Sequence, residues 1–225
     1  MKREIIVTAD GSKTIFLPEW NEHYHSKHGA IQEALHVFIK HGFLHLQHNF
    51  PEMKPISILE IGFGTGLNAF LTVLETQKRN VEINYTGVEA FPVTQEEIEV
   101  LNYATTEEGK EIFKQLHEAP WEERTWVFNT FGLLKQEKEF AKITDEALYD
   151  LIYFDAFGVR VQPELWTEAI FSKMYQALKP KGLLVTYAAA GSVRRAMQAA
   201  GFQVEKLPGP PGKREMLRAF KGFIE

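Results

Sequence analysis

The 225-residue chain contains no cysteine, which removes disulfides, thiolate metal sites and a cysteine nucleophile from consideration together. Long apolar runs are missing as well. None approaches the roughly 18 residues that a membrane span needs. The start, Met1-Lys2-Arg3-Glu4, leads into a short strand-like run rather than the apolar core of a signal peptide. A cytoplasmic protein without a membrane partner is the default expectation. There is no surplus of positive charge either. Lys and Arg number 25 against 30 Asp and Glu, a net charge of −5, which counts against nucleic-acid binding by bulk electrostatics alone. The distribution is uneven, however. Residues 89–123 are rich in glutamate, whereas Lys179, Lys181, Arg194, Arg195, Lys206, Lys213, Arg214, Arg218 and Lys221 gather in the C-terminal part, so one end of the molecule is expected to be basic. A hydrophobic content of 44 % and a charged content of 24 % are ordinary for a globular chain, and the length suits one α/β domain with a small appendage.

What the chain does have is a glycine loop directly behind an apolar strand. The segment Leu59-Glu60-Ile61-Gly62-Phe63-Gly64-Thr65-Gly66-Leu67-Asn68 ends a strand and opens a helix. Glycines let such a turn take positive φ and let a ligand approach the backbone, and the helix behind it directs free N–H groups at whatever occupies the turn. The dinucleotide fingerprint is G-x-G-x-x-G. Here the third glycine comes one position early and an acid precedes the first, an acid-x-Gly-x-Gly-x-Gly pattern that resembles the first motif of S-adenosylmethionine (SAM) dependent methyltransferases. A second apolar strand over residues 81–88 ends at Glu89, placed to accept hydrogen bonds from two ribose hydroxyls. A bare strand-to-helix turn is the plainer alternative.

The rest of the chain alternates strand and helix. Residues 4–17 read as a hairpin around Asp10-Gly11. A helix is expected over 30–39, and Gly42 and Pro51 punctuate the approach to a core that begins near Pro55. This gives an N-terminal extension, residues 1–54, packed on a core domain, residues 55–225. Within the core the pattern predicts a helix opened by the capping box Thr94-x-x-Glu97, a strand over 126–128 followed by a polar helix or loop, and a strand over 148–154. Then come a helix over 163–178, a strand over 183–187, a helix over 193–200 capped by Ser192, and strands over 202–207 and 216–223. Repeated βα units predict a Rossmann-like, mainly parallel sheet covered by helices.

Ligands of such sheets sit at the carboxyl ends of the strands, where Asp155 opens the loop Asp155-Ala156-Phe157-Gly158-Val159-Arg160-Val161-Gln162-Pro163-Glu164-Leu165-Trp166. A carboxylate there could accept a hydrogen bond from a substrate amine, orient its lone pair or remove a proton, roles that suit methyl transfer to nitrogen. Capping of the next turn is the structural alternative. Seven of the eight histidines fall between His23 and His48, and His41 and His45 have helical metal-pair spacing. No acid completes that set, so no metal is expected. Trp20, Phe43 and Trp166 could stack on a splayed base or simply fill the core.

Several blocks together resemble one family, the methyltransferase domain of the bifunctional tRNA-modifying enzyme MnmC and its stand-alone form. They are Tyr24-His25-Ser26, Gly29-Ala30-Ile31-Gln32-Glu33 with His36-Val37-Phe38, and Gly62-Phe63-Gly64-Thr65-Gly66-Leu67-Asn68. Asp155-Ala156-Phe157 follows with Pro163-Glu164-Leu165-Trp166, then Thr186-Tyr187, Ala190-Gly191-x-Val193-Arg194-Arg195, Ala200-Gly201-Phe202 and Lys213-Arg214-Glu215-Met216-Leu217. The resemblance implies methylation, with SAM as donor, of the amine of 5-aminomethyl-(2-thio)uridine at the wobble position of tRNA. Asp155 would be catalytic. The cofactor would be held by Glu60, Gly62, Gly64, Thr65, Gly66, Asn68, Glu89 and Asp155. Tyr24, Tyr187, Arg194, Arg195, Lys213 and Arg214 would meet the anticodon loop. The FAD-dependent half of the bifunctional enzyme would be absent from this chain. The pattern departs from the family at Gly209-Pro210-Pro211-Gly212 and at Gly158-Val159-Arg160-Val161-Gln162. It departs also after Trp126-Val127-Phe128, where Asn129 stands in place of an acid for the adenine amino group. The rival readings are a methyltransferase or aminopropyltransferase-like enzyme for a small amine, an NAD(P)-dependent oxidoreductase, and an inactive RNA-binding module.

Overall fold

A computed structural model describes residues 2–222. The centre is an eight-stranded sheet of order β10-β11-β9-β8-β4-β5-β7-β6. Its strands are β4 (Ile56–Ile61), β5 (Ile83–Glu89), β6 (Arg124–Phe128), β7 (Phe131–Glu137), β8 (Tyr149–Phe154), β9 (Leu178–Thr186), β10 (Gln203–Pro208) and β11 (Glu215–Phe220). The five inner strands β9, β8, β4, β5 and β7 run parallel, while β11 and β6 are antiparallel to their neighbours. Strands buried on both faces read as near-continuous apolar runs. Tyr149-Asp150-Leu151-Ile152-Tyr153-Phe154 is such a run, buried at every position.

Helices cover both faces. On one lie α3 (Leu67–Arg79), α5 (Glu107–Glu118) and a long helix made of α1 (Ala30–Ala34), a π-helical segment Leu35–Phe43 and α2 (Leu44–Asn49). On the other lie α6 (Glu168–Ala177) and α7 (Gly191–Ala199). Period-two alternation divides β4 between them, Ile56 and Ile58 packing in one cluster and Leu59 and Ile61 in the other. The core runs across residue 54. Val37, Phe38 and Phe43, each almost wholly buried, share a cluster with Ile58, Tyr85 and Tyr153.

Ahead of the long helix stands a three-stranded antiparallel sheet of β1 (Glu4–Val7), β2 (Lys13–Leu17) and β3 (Glu22–His23), the hairpin expected around Asp10-Gly11 plus a short third strand. Its turn also caps α1. Asp10 Oδ2 accepts from the Gln32 N–H at 3.1 Å, and Oδ1 accepts from the Thr8 hydroxyl at 2.7 Å and the Ser12 N–H at 3.1 Å. Burial pushes this carboxyl up, but the hydrogen bonds from Ser12, Thr8 and the Gln32 backbone outweigh it and hold the pKa near 2.

The boundaries differ from expectation where tertiary pairing overrides local pattern. The stretch read as a polar helix or loop contains β7, a strand that pairs with β5 on one side and β6 on the other. Its polar look comes from Lys135, which is 1 % exposed. The helix expected over 163–178 divides into a 3-10 turn, Pro163–Trp166, and α6, because the Thr167 hydroxyl caps a second start by accepting from the Ile170 N–H. Helix α7 begins at Gly191 with Ala190 as its N-cap, so Ser192 lies inside it and caps nothing. Strand β9 begins at Leu178, ahead of the expected 183–187, and its register against β8 shifts at its start. The last strand ends at Phe220, and Phe223 lies outside the described residues. The Thr94 capping box forms as read.

Candidate active site

Loops at the carboxyl ends of β4, β5, β7 and β8, together with the N-terminal sheet, enclose a cavity of about 1110 Å³. The glycine loop forms its floor. Gly62 has φ +87°, and a Cβ built there would stand 2.6 Å from the Asp155 carbonyl oxygen. The β4 and β8 loops therefore touch at a point that only glycine fits. Gly64 has φ +49° and meets the Tyr24 ring at 3.3 Å from an added Cβ. Its N–H donates to Glu89 Oε2 at 3.0 Å, and Glu89 Oε1 accepts from the Phe91 N–H at 3.0 Å. Both backbone bonds hold the Glu89 carboxylate at the end of β5, on the cavity wall. Thr65 is fixed from behind, its hydroxyl accepting from Tyr103 at 3.1 Å and its carbonyl from His117 Nε2 at 3.2 Å.

Asn68, in the first turn of α3, joins two acids. Its Nδ2 donates to Glu60 Oε1 at 2.9 Å and to Asp155 Oδ2 at 2.8 Å. The two acids differ in their surroundings. Glu60 is fully buried, also accepts from the Tyr85 hydroxyl at 2.8 Å, and is not among the residues that line the cavity. Burial raises its pKa well above the carboxylate range against the pull of Tyr85 and Asn68. Asp155 lines the cavity and is half-buried. Burial pushes its pKa up to about 7, with the Glu33 carboxylate adding to the rise and Asn68 and Lys213 opposing it. Asn68 Oδ1 is buried with no hydrogen-bond partner among the described residues.

Of the other residues singled out by sequence, Tyr24, Gly62, Gly64, Thr65 and Tyr187 line the cavity. Gly66 does not; it is the N-cap of α3, with φ +72°. Arg194, Arg195, Lys213 and Arg214 are outside it. Lys213 points inward rather than to a surface phosphate. It is ion-paired with buried Glu33, and its Nζ lies 3.8 Å from the centre of the Tyr187 ring. The Tyr187 hydroxyl donates to the Ala156 carbonyl at 2.8 Å, so this group braces the loop that carries Asp155. Phe43 (0 % exposed) and Trp166 (4 %) are core residues, which ends their reading as base-stacking surfaces; Trp20 lines the cavity. Asn129 lies beside Thr76, Lys78 and Asn80, at the far end of α3 from the glycine loop. Acids at the end of a strand are found one strand further on. Because β6 is an antiparallel edge strand, β7 is the neighbour of β5, and the two end side by side at Glu89 and Glu137. Glu137 and Glu139 both line the cavity. The sequence signal was the alternation through Phe131-Gly132-Leu133, masked by Lys135.

Residues 130–222 match the model of an S-adenosyl-L-methionine-dependent methyltransferase family. The tRNA 5-methylaminomethyl-2-thiouridine biosynthesis bifunctional protein MnmC of Hydrogenovibrio crunogenus is 31 % identical over 86 % of this chain and 30 % of that protein. A crystal structure of MNMC2 from Aquifex aeolicus superposes with a TM-score of 0.81 at 28 % identity, covering 97 % of this chain and 70 % of that one. The chain is similar to SAM-dependent methyltransferases, by the family model over residues 130–222. It spans about a third of the length of the curated relatives it matches. Spermidine synthase from Thermotoga maritima, at 15 % identity and a TM-score of 0.51 over 99 % of this chain and 72 % of its own, shares the fold alone.

The cofactor of this methyltransferase is SAM, and the donor set fits it. Glu89 and the acids at the end of β7 offer acceptors to hydroxyl and amino groups, and the backbone of residues 62–65 offers close approach without the third-glycine spacing that a pyrophosphate takes. Two buried groups support the cradle from below and were not legible in sequence. Lys135 donates to the His117 carbonyl at 2.8 Å and lies 5.1 Å from the Trp121 ring, burial lowering its pKa to about 8. Burial likewise lowers His117 to about 4, leaving a neutral ring that donates to Thr65.

Proposed function

We propose that this chain methylates the primary amine of 5-aminomethyl-(2-thio)uridine at the wobble position of tRNA in the cytoplasm, giving the 5-methylaminomethyl product. The carrying observation is the placement of Asp155: a half-buried carboxyl fixed by Asn68 at the mouth of the glycine cradle, with a pKa of about 7. The printed name of the relatives supports the choice of acceptor.

An alkyl amine is mostly protonated in water at neutral pH and has no free lone pair. The group that receives it must take a proton and hold the nitrogen in line. Asp155, ionised above about pH 7, accepts that proton on the oxygen not bonded to Asn68 and then orients a remaining N–H. Tyr187, Lys213 and Glu33 hold the Asp155 loop against the long helix, so the carboxylate is preorganised. SAM, when bound, supplies a methyl group on a cationic sulfur that keeps the bonding pair as the new C–N bond forms. The positive charge passes from sulfur to nitrogen, and an enclosed cavity favours such a charge-dispersing transfer.

The test is transfer of labelled methyl from SAM to tRNA drawn from cells lacking this enzyme, followed by nucleoside analysis. Label in 5-methylaminomethyl-type uridine, lost in Asp155→Ala, is the expected result. Intact SAM binding with label entering only small polyamines would replace this reading with the small-amine one.

A further inference from the structure

The cavity has a second wall that the methyl-transfer machinery does not use. It is built from the N-terminal sheet and from the loop after Asp155, and it is aromatic. Phe157 stands between two rings, with Tyr24 at 5.0 Å and 89° and Trp20 at 5.6 Å and 85°. All three line the cavity, with Leu17 and Leu165 beside them. The row has a direction. Tyr24 abuts Gly64 of the cradle, Phe157 comes two residues after Asp155, and Trp20 is the end remote from the cradle.

From this geometry we infer that Trp20 and Phe157 form the platform for the pyrimidine ring whose exocyclic aminomethyl group reaches Asp155, one ring stacking on its face and the other, perpendicular to it, closing on its edge. The inference rests on the reading of the acceptor as a 5-aminomethyluridine and assigns the residues that hold its base. Three observations carry it. First, the cavity, at about 1110 Å³, exceeds the range of about 300–1,000 Å³ for single-ligand pockets, leaving room beyond the cofactor. Second, the platform is held rigid from both sides. Arg160 Nη2 donates to the carbonyls of Trp20 and Asn21, each at 2.9 Å, and to Glu22 Oε2 at 3.1 Å, tying the Trp20 turn to the Asp155 loop. Trp166 Nε1 donates to the Phe157 carbonyl at 2.7 Å and fixes the other half. Third, the polar group on this wall suits a base edge. Gln162 lines the cavity and offers both a donor and an acceptor, the complement of a pyrimidine imide edge. The amine of a 5-aminomethylpyrimidine is one methylene from its ring, so an amine at Asp155 leaves the ring in the same cavity as Phe157, two residues further along the loop. A small linear amine has no π-face and gains nothing from this wall. A base turned out of a single-stranded loop does.

The experiment compares wild type, Trp20→Ala, Trp20→Phe and Phe157→Leu on two acceptors: an anticodon stem-loop with 5-aminomethyluridine at the wobble position, and the free 5-aminomethyluridine nucleoside. SAM affinity is read by calorimetry and folding by thermal melting. The platform predicts a fall in kcat/KM of about 10- to 100-fold for Trp20→Ala on both acceptors, the range of one lost base–aromatic stack, mostly as a rise in KM. SAM affinity should stay within twofold, and Trp20→Phe should restore most of the loss. Phe157→Leu keeps the volume while removing the π-face, and predicts a similar fall should Trp20→Ala melt early. A folded, SAM-binding Trp20→Ala or Phe157→Leu enzyme with wild-type kcat/KM overturns the platform while leaving the tRNA reading in place. A wild-type enzyme that modifies neither acceptor overturns both.

Discussion

The two walls of the cavity are built by different means. The sheet side works through backbone. Gly62 and Gly64 bring main chain to the ligand space, a backbone N–H fixes Glu89, and a single amide, Asn68, fixes Asp155. The N-terminal side works through side chains, a row of rings held by arginine and indole hydrogen bonds to carbonyls. A backbone-built site tolerates little change, since its geometry is set by φ and by contacts that an added Cβ would occupy. A side-chain wall can be re-cut one residue at a time. The difference teaches where a shared fold keeps its common chemistry and where one member acquires its own substrate.

Substitutions should separate the walls by readout. The largest effect is expected for Asp155→Asn, which keeps the shape and removes the base: kcat/KM should fall about 10²- to 10⁴-fold with SAM affinity little changed, measured by methyl transfer and calorimetry. An enzyme keeping more than a tenth of its activity would move the base elsewhere. Next is Gly62→Ala. An added Cβ 2.6 Å from the Asp155 carbonyl, at φ +87°, should cost about 2–4 kcal/mol in urea unfolding and abolish SAM binding, a sheet-side failure in both readouts.

The pH dependence is smaller. In the proposed mechanism ionised Asp155 is the active form, so kcat/KM should rise with pH through about 7, a limb that Asp155→Asn removes. Stability runs the other way. The folded pKa lies above the unfolded value, so the native state holds a proton that the unfolded chain has released. Asp155 therefore contributes stability below about pH 4, and that contribution is lost as pH rises through 7. After allowance for its partial exposure, the loss relative to Asp155→Asn should be about 2 kcal/mol, checked by urea unfolding of both proteins at pH 5 and 8. On the other wall, Arg160→Ala releases the Trp20 and Asn21 carbonyls. It should raise the acceptor KM about fivefold, the net worth of one ordinary hydrogen bond at ~1 kcal/mol, with SAM affinity unchanged. A change in SAM affinity instead would erase the division between walls. The smallest effect is expected for Arg195→Ala. Its side chain is exposed and outside the cavity, so a change below about threefold in KM for tRNA at moderate salt is anticipated.

Much of the sheet side was legible in sequence. The strand, the spaced glycines and Glu89 announce a cradle because backbone conformation at a tight turn is dictated by residue type within a few positions. The same locality made the Asp10-Gly11 hairpin and the Thr94 capping box readable. Strand β7 was not readable, since Lys135 looks like a surface residue until Trp121 and Phe63 cover it. With β7 hidden, the acids at its end were sought in the wrong place. Lys213 and Arg194-Arg195 looked alike as basic pairs, yet only Lys213 meets a buried carboxylate, supplied by Glu33 from 180 residues away.

By itself, the sequence determined the local devices of this protein: the glycine turn, the buried parallel strands and the carboxylate that opens the loop after β8. Only the tertiary structure decided which of two similar acids is exposed to a substrate, Asp155 and not Glu60, and which aromatic faces the cavity, Trp20 and not Phe43 or Trp166. The physical reason is range. Backbone preference is a property of neighbours in sequence, whereas burial, pKa and the partner of a charge are set by segments that meet only when the chain has closed around its core.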